Sequence, residues 1–250
     1  MNRNKRTAIQ MYERIRAKLV MKQKILGLDD TFQFRCNQCG KCCRNLDSKS
    51  FVLSPRDVFG MSKALNMNPV DFYDTYCIKT ISWRTGMPLL ELKPIGRDNH
   101  CPLLKNNRCS VQEAKPSACA LYPLGRLICS AAPDAVQYRV QPIQCGKNPK
   151  TYTVRQWLER SGMDPEDDSF IRWAKACGKL EPLFTKLERA EDPVSAKKIQ
   201  LHMRDILYGY YDASKPFPEQ FERNVDIVLQ LMSDIPRMKA EMRASGVEMP

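Results

Sequence analysis

Apolar residues recur with helical spacing towards both ends of the chain and break into short runs in its middle. Residues 7–27 carry Met11, Ile15 and Leu19 at four-residue intervals with Tyr12 beside them, and Lys and Arg fill the other positions. That spacing predicts a helix with one packing face and one basic face, the basic face either simply solvated or serving as a polyanion-binding arm. After Lys150 the pattern is helical again, over Val154–Arg160, Pro165–Ala190 (open to a break near Gly178), Pro193–Tyr211 and Pro218–Ala244. Asp164-Pro165 and Asp192-Pro193 read as helix starts, since Asp caps free N–H groups and Pro gives up an N–H that has no intrahelical partner. Leu201, Ile206, Leu207 and Tyr210 form one apolar face, and Val225, Val228, Leu229 and Met232 another, both expected in the core. The acidic run of Asp164, Glu166, Asp167 and Asp168 suits a helix N-terminal turn better than catalysis.

The middle of the chain is more broken. Ser54-Pro55-Arg56-Asp57 opens a helix expected to reach Leu65, and Asn68-Pro69 opens another ending near Tyr76. Short strands are expected at Ile81–Trp83, Leu89–Lys93, Leu127–Cys129 and Val136–Val140, and Asn106-Asn107 reads as a tight turn. The fold class that follows is mainly α with small β-hairpins, a cysteine-rich metal-binding module wrapped by N- and C-terminal helices. Its expected parts are a basic N-terminal helix (1–33), a cysteine-cluster metal-binding domain (34–150) and a helical C-terminal region (151–250). A chain of 250 residues is long enough to bury a full core without help from metal.

Cysteine changes the picture most. Cys36, Cys39, Cys42 and Cys43 stand in one eight-residue run, and Cys101, Cys109, Cys119 and Cys145 follow it. No stretch of about 18 apolar residues suggests a membrane span, and the basic N-terminus lacks the apolar centre of a signal peptide. A cytoplasmic, reducing location is therefore expected, in which clustered thiols are metal or iron–sulfur ligands rather than disulfides. Zinc and iron–sulfur irons both take tetrahedral thiolate ligands. Gly40, directly after Cys39, suits a metal-binding knuckle because it can adopt positive φ. Read instead as a helix, Cys36, Cys39 and Cys43 share one face. The vicinal pair Cys42-Cys43 is unusual, since neighbouring side chains diverge in helices and strands. The two thiols are expected to serve different metal ions, or one of them to lie outside the ligand shell. A hairpin turning at Asn106-Asn107 would bring Cys101 and Cys109 together. With His100 and His202 the only histidines, any site is sulfur-rich, which favours zinc, iron–sulfur or Cu(I) over magnesium or calcium. His100 is expected to be a hydrogen-bonding residue, and Cys77, Cys129 and Cys177 to be inert thiols.

The net charge of +12 places +7 on residues 1–24, where eight Lys or Arg face Glu13 alone. Four thiolates around Zn²⁺ or a [4Fe–4S]²⁺ core leave −2 per site, so part of the basicity in the middle of the chain balances ligand charge. It is poor evidence for nucleic acid.

The Cys36-x-x-Cys39-Gly40-x-Cys42-Cys43 run, Cys-Pro-x-Leu at Cys101, Cys109, and Pro116-x-x-Cys119 leading to Tyr122-Pro123 together resemble the CxxCxxCC (YkgJ) family of zinc- or iron-chelating cysteine cluster proteins. The resemblance spans residues 34–146. It implies Cys36, Cys39, Cys42, Cys43, Cys101, Cys109 and Cys119 as metal ligands; Cys145, followed by Gly146, is added from the residues themselves. Family members commonly carry Arg-Pro and Cys-Arg where this chain has Lys115-Pro116 and Cys119-Ala120, so any charge supplied by that second Arg is missing here.

The function expected is metal binding through clustered thiolates, as an iron–sulfur cluster or zinc. Iron–sulfur is favoured because surplus thiols and a vicinal pair suit a multi-iron centre. One alternative, carried by relatives that are flagellin lysine N-methylases, is an S-adenosylmethionine-dependent protein lysine N-methylase. No G-x-G loop or Cys-x₃-Cys-x₂-Cys triplet supports it. A further alternative is a zinc-stapled nucleic-acid-binding module, favoured by charge alone. The partner is open, with a protein the more natural candidate and nucleic acid an unlikely one. No Ser-His-Asp set or phosphate-binding loop is present.

Overall fold

A computed structural model of the chain describes residues 24–46, 52–129, 132–142, 145–146, 149–164, 169–190 and 192–244. The expected helix over 7–27 lies outside them as far as Gln23, and beyond it Ile25–Leu26 form a short strand, β1. The chain then runs through β2 (Thr31–Phe34) and the cysteine run into helix α1 (Pro55–Ala64).

Helix α1 starts where the sequence places it. Ser54 accepts from the Asp57 N–H, the Asp57 carboxylate accepts from the Ser54 N–H, and Pro55 occupies the first turn. Helix α2 (Pro69–Tyr76) is capped by Asn68, whose side-chain oxygen accepts from the Asp71 N–H, with Pro69 in the first turn. It passes without a loop into β3 (Cys77–Ile81), which pairs antiparallel with β4 (Pro88–Leu92), Cys77 opposite Leu92 and Ile81 opposite Pro88. The first strand therefore lies four residues earlier than Ile81–Trp83. Ser82 and Met87 close the hairpin by a 2.8 Å hydrogen bond, which leaves Trp83 in the turn and exposed.

Two-residue strands β5 (Leu104–Lys105) and β6 (Arg108–Cys109) follow, then helix α3 (Ser117–Leu121), β7 (Leu124–Cys129) and β8 (Ala132–Val140). β8 lies between β1 and β7 in a three-stranded antiparallel sheet, so both expected strands of this hairpin exist and are longer than their apolar runs. β9 (Lys150–Thr153) pairs with β2, setting Phe34 opposite Lys150. Helix α4 (Val154–Arg160) begins at a Thr153–Gln156 capping box.

Helix α5 (Ser169–Ala190) continues through Gly178 and Pro182, with no break. Its buried stripe of Ile171, Trp173, Ala176, Leu180, Phe184 and Leu187 outweighs the local cost of those two residues. The expected start at Pro165 falls outside the described residues. Helix α6 (Pro193–Arg204) widens into a π-helical turn at Asp205–Gly209, and α7 (Phe217–Ala244) ends the described chain. Ile206 and Leu207 are buried as expected whereas Tyr210 is exposed, because the π turn rotates the apolar stripe.

The fold is mainly α with small antiparallel sheets. Two apolar clusters form its interior. The larger joins α1, α2, β3–β4 and α5–α7 around Phe72, Tyr73, Leu90, Phe184 and Tyr208. The smaller is built on Phe32, Phe34, Leu121, Tyr138, Trp157 and Leu158. In the smaller one Phe34 meets Trp157 edge to face, with ring centroids 5.6 Å apart. Among the described residues no helix is long and apolar enough to cross a membrane.

Candidate metal centre

The first cysteine run leaves β2 directly after Phe34 and turns back at Gly40, which has φ +70°. A Cβ on Gly40 would lie 3.0 Å from the Asn107 carbonyl oxygen, so only glycine lets the run press onto the β5–β6 hairpin. Lys41–Cys43 then form a 3-10 turn, closed by the Cys43 N–H donating to the Gly40 carbonyl at 3.1 Å. In this tight turn the vicinal sulfurs of Cys42 and Cys43 come to 3.9 Å rather than diverging.

Backbone hydrogen bonds carry the second stretch to the first. The Cys101 N–H donates to the Cys43 carbonyl at 2.8 Å. From there the chain enters the β5–β6 hairpin, whose tip, Asn106-Asn107, has φ of 50° and 60°. This left-handed pair is the tight turn that its two asparagines predict. The register pairs Leu104 with Cys109, which brings Cys109 back beside Cys101. Arg44 braces the arrangement, donating to the Asp98 carboxylate and to Asn107 Oδ1. His100 Nδ1 lies 2.6 Å from Asp98 Oδ1, the hydrogen-bonding role expected for it. The His100 contact, and then Arg44, hold the Asp98 carboxyl below its ordinary range.

Cys119 sits in α3, a five-residue helix fastened at both ends. At the start, Asp57 Oδ1 accepts from the N–H and the hydroxyl of Ser117, both at 2.8 Å. At the end, the Leu121 carbonyl accepts from Trp157 Nε1 at 3.0 Å and the Ala120 carbonyl from the Ser161 hydroxyl at 3.2 Å. Asp57 is thus a positioning residue that sequence reading treats only as a helix start. Its Oδ2 closes the α1 capping box while Oδ1 holds the cysteine-bearing helix 60 residues away. The Ser54-x-x-Asp57 spacing signals the first bond, and nothing in the sequence signals the second.

Cys145 comes in from the opposite side. Gly146 has φ +108°, and a Cβ there would stand 2.9 Å from the Arg35 carbonyl oxygen, so the Cys145-Gly146 backbone lies directly against the start of the first run. The Cys145 thiol hydrogen-bonds that of Cys39 and has Cys42 and Cys36 nearby.

All eight of these cysteines line one cavity of about 1270 Å³. It lies between the two apolar clusters: Cys43, Cys101 and Cys109 belong to or pack on the larger, and Cys145 packs on the smaller. Crowded thiols in a partly dry site resist ionisation. Burial pushes Cys101 up to about 11 and, together with the Cys39 contact, Cys145 up to about 12. Contact with the Cys42 thiol, then burial, raises Cys43, and burial raises Cys119 and Cys109. Lys115 offsets part of the effect at Cys109. Arg56, Lys63, Arg108, Lys115 and Arg160 line the same cavity, consistent with basic residues balancing thiolate charge. Cys36 and Cys39 are exposed, and the rest are partly or fully buried.

Cys77 and Cys177 lie in the larger apolar cluster and do not face the cavity. The side chain of Cys129 is outside the described residues. Among the described residues, no three His, Cys, Asp or Glu side chains are drawn together into a coordination shell. The donor set nevertheless fits a thiophilic metal: eight sulfurs line one cavity together with basic side chains, and His100, which does not line it, is turned to Asp98.

Neither a curated protein nor a solved structure matches the chain. A family model does, over residues 35–178, and its description reads "Putative zinc- or iron-chelating domain". The matched stretch starts one residue before Cys36, covers more than half of the chain, and contains every cysteine on the cavity. The chain therefore belongs to the CxxCxxCC family.

Proposed function

We propose that this protein binds metal through Cys36, Cys39, Cys42, Cys43, Cys101, Cys109, Cys119 and Cys145, as an iron–sulfur centre or as zinc. The carrying observation is that cysteines from four separate places in the chain line one cavity, while Cys77 and Cys177 do not. Iron–sulfur is the first reading. The number of thiols and the vicinal pair exceed what one tetrahedral zinc uses, whereas a multi-iron centre takes several thiolates over a wider span. Such a centre suits a reducing compartment, and the cytoplasm is the location proposed. Its role is structural, metal-handling or electron-transferring.

The volume of the cavity favours a second reading. At about 1270 Å³ it exceeds what the thiols and a metal fill, and basic side chains line it beside the thiols. That space would admit a substrate, as in an enzyme that uses its metal for chemistry, protein lysine N-methylation being the family-derived example. Nucleic acid plays no part in either reading, since the basic residues on the cavity share it with the thiols.

Metal and acid-labile sulfide analysis of protein purified without oxygen, with a visible spectrum, tests the proposal. Iron with equimolar sulfide supports the first reading. Zinc without sulfide keeps metal binding and removes the cluster. Protein that binds neither after reconstitution refutes both.

A further inference from the structure

Two of the cavity's basic side chains, Arg56 and Lys63, are held in place by aromatic rings. The Arg56 guanidinium carbon lies 5.8 Å from the centroid of the Phe59 ring and 5.6 Å from that of Phe217. Lys63 Nζ lies 5.9 Å from the same Phe59 centroid. Phe217 is braced in turn by Tyr211 and Phe221, stacked on it with centroids 5.2 and 5.5 Å away. Gly60 makes room for the guanidinium, since a Cβ there would stand 3.1 Å from Arg56 Nη1. Arg56, Phe59, Gly60 and Lys63, all on α1, line the cavity, and both cations are exposed.

This placement favours an anion. Among the described residues neither cation pairs with a carboxylate, whereas Lys79 holds Asp74 and Arg172 holds Glu222. Asp57, beside Arg56 in sequence, has its carboxylate committed to Ser54 and Ser117. Two like charges gathered on one ring repel each other. Arg56 also stands in the first turn of α1, against the helix dipole. The rings fix both groups without neutralising them. An oxyanion within reach of both relieves the repulsion, and a planar guanidinium offers it paired donors. There is room for the rest of such a ligand. The cavity, at about 1270 Å³, is larger than the about 300–1,000 Å³ of an ordinary small-molecule site, and Tyr122 and Trp157 give it aromatic surface.

We infer that the cavity holds, beside the thiols, a binding site for a small molecule bearing a carboxylate or phosphate, with Arg56 and Lys63 as the residues that take its oxyanion. This rests on the second reading above, in which the cavity admits a substrate, and names the chemical class of that substrate. The same charges repel an ammonium group, so a substrate lysine is not the occupant of this part of the cavity. The rival assignment gives both cations to the thiolates, as charge balance for bound metal.

Calorimetric titration of the full-length, metal-loaded chain with inorganic phosphate, and separately with succinate, decides between the two, with metal per chain measured on every sample. Saturable one-to-one binding is expected, and the tighter probe identifies the headgroup. Arg56→Gln and Lys63→Gln should each weaken it about tenfold or more, the loss of one charge-assisted hydrogen bond, and leave the metal content unchanged. If circular dichroism shows that Arg56→Gln does not fold, Lys63→Gln, a change in an exposed side chain, decides alone. Binding of neither probe by the wild type overturns the site, as does binding that the folded variants leave as tight as before. A fall in metal content in those variants overturns it too, by giving the cations to the thiolates. A wild type without metal fails the metal-binding reading instead, and the titrations of that same protein still read the anion site, so the two failures are distinct.

Discussion

Asp57 gives the sharpest test of how this fold holds its cysteines. Its carboxylate is buried, 8% exposed, and accepts four hydrogen bonds: from Ser54 N–H and hydroxyl at 2.9 and 2.8 Å, and from Ser117 N–H and hydroxyl at 2.8 Å each. Asp57→Ala leaves two buried backbone N–H groups without an acceptor, at about 1–3 kcal/mol each, while the two hydroxyls can turn elsewhere. The expected loss is about 4 kcal/mol, or about 10 °C in Tm for a chain of this size. Asp57→Asn preserves the shape and one acceptor oxygen but sets an NH₂ against the other pair of donors, so it costs about half as much, about 2 kcal/mol. Because one of the two anchored ends is the helix carrying Cys119, both variants should also bind metal less tightly. Urea unfolding of metal-free and metal-loaded protein measures the first effect, and competition with a chromogenic chelator the second. A loss below about 1 kcal/mol for Asp57→Ala, or weakened stability with unchanged metal affinity, would refute the claim that this carboxylate couples the α1 cap to the metal centre.

Other expectations concern the thiols and the turns that aim them. Cys39→Ser should lower the metal content measured by elemental analysis, whereas Cys177→Ser, packed on the larger cluster and absent from the cavity lining, should leave it unchanged; equal behaviour of the two would undo the ligand assignment. Gly40→Ala puts a side chain in a left-handed conformation and 3.0 Å from the Asn107 carbonyl oxygen, and should cost about 2 kcal/mol in chemical denaturation, with loosened metal binding. Metal-free protein has a pH signature of its own. Burial raises Cys101 from 9.0 to about 11 in the folded state, so this contribution is fully present below pH 9 and is lost as pH rises through 11. Metal affinity runs the other way and falls as pH falls, because each bound thiol must give up its proton. Calorimetric titrations of metal in buffers of different ionisation enthalpy should show that proton release, and its absence would contradict thiolate ligation.

What was legible in the sequence is what depends on local chemistry. Ser54-Pro55, Asn68-Pro69 and Asp192-Pro193 mark helix starts because a side-chain cap and a missing N–H act within one turn. Asn106-Asn107 marks the hairpin because two consecutive left-handed residues suit asparagine. The cysteine motif marks the family because its spacing lies within a single short run. Where competing local preferences were close, packing decided. The buried stripe of α5 carries the helix over Gly178 and Pro182, the β3–β4 hairpin places its turn at Ser82–Gly86, and the π turn at Asp205–Gly209 moves Tyr210 to the surface. The grouping of the cysteines is a tertiary matter altogether. Cys42 and Cys43 both stand near Cys101 and Cys119, far along the chain from them, and Cys39 meets Cys145 across more than a hundred residues. Those meetings are made by backbone contacts between distant segments: Gly40 on Asn107, Gly146 on Arg35, and Asp57 on Ser117. Spacing along the chain can encode a turn, but not which remote segment will close against it.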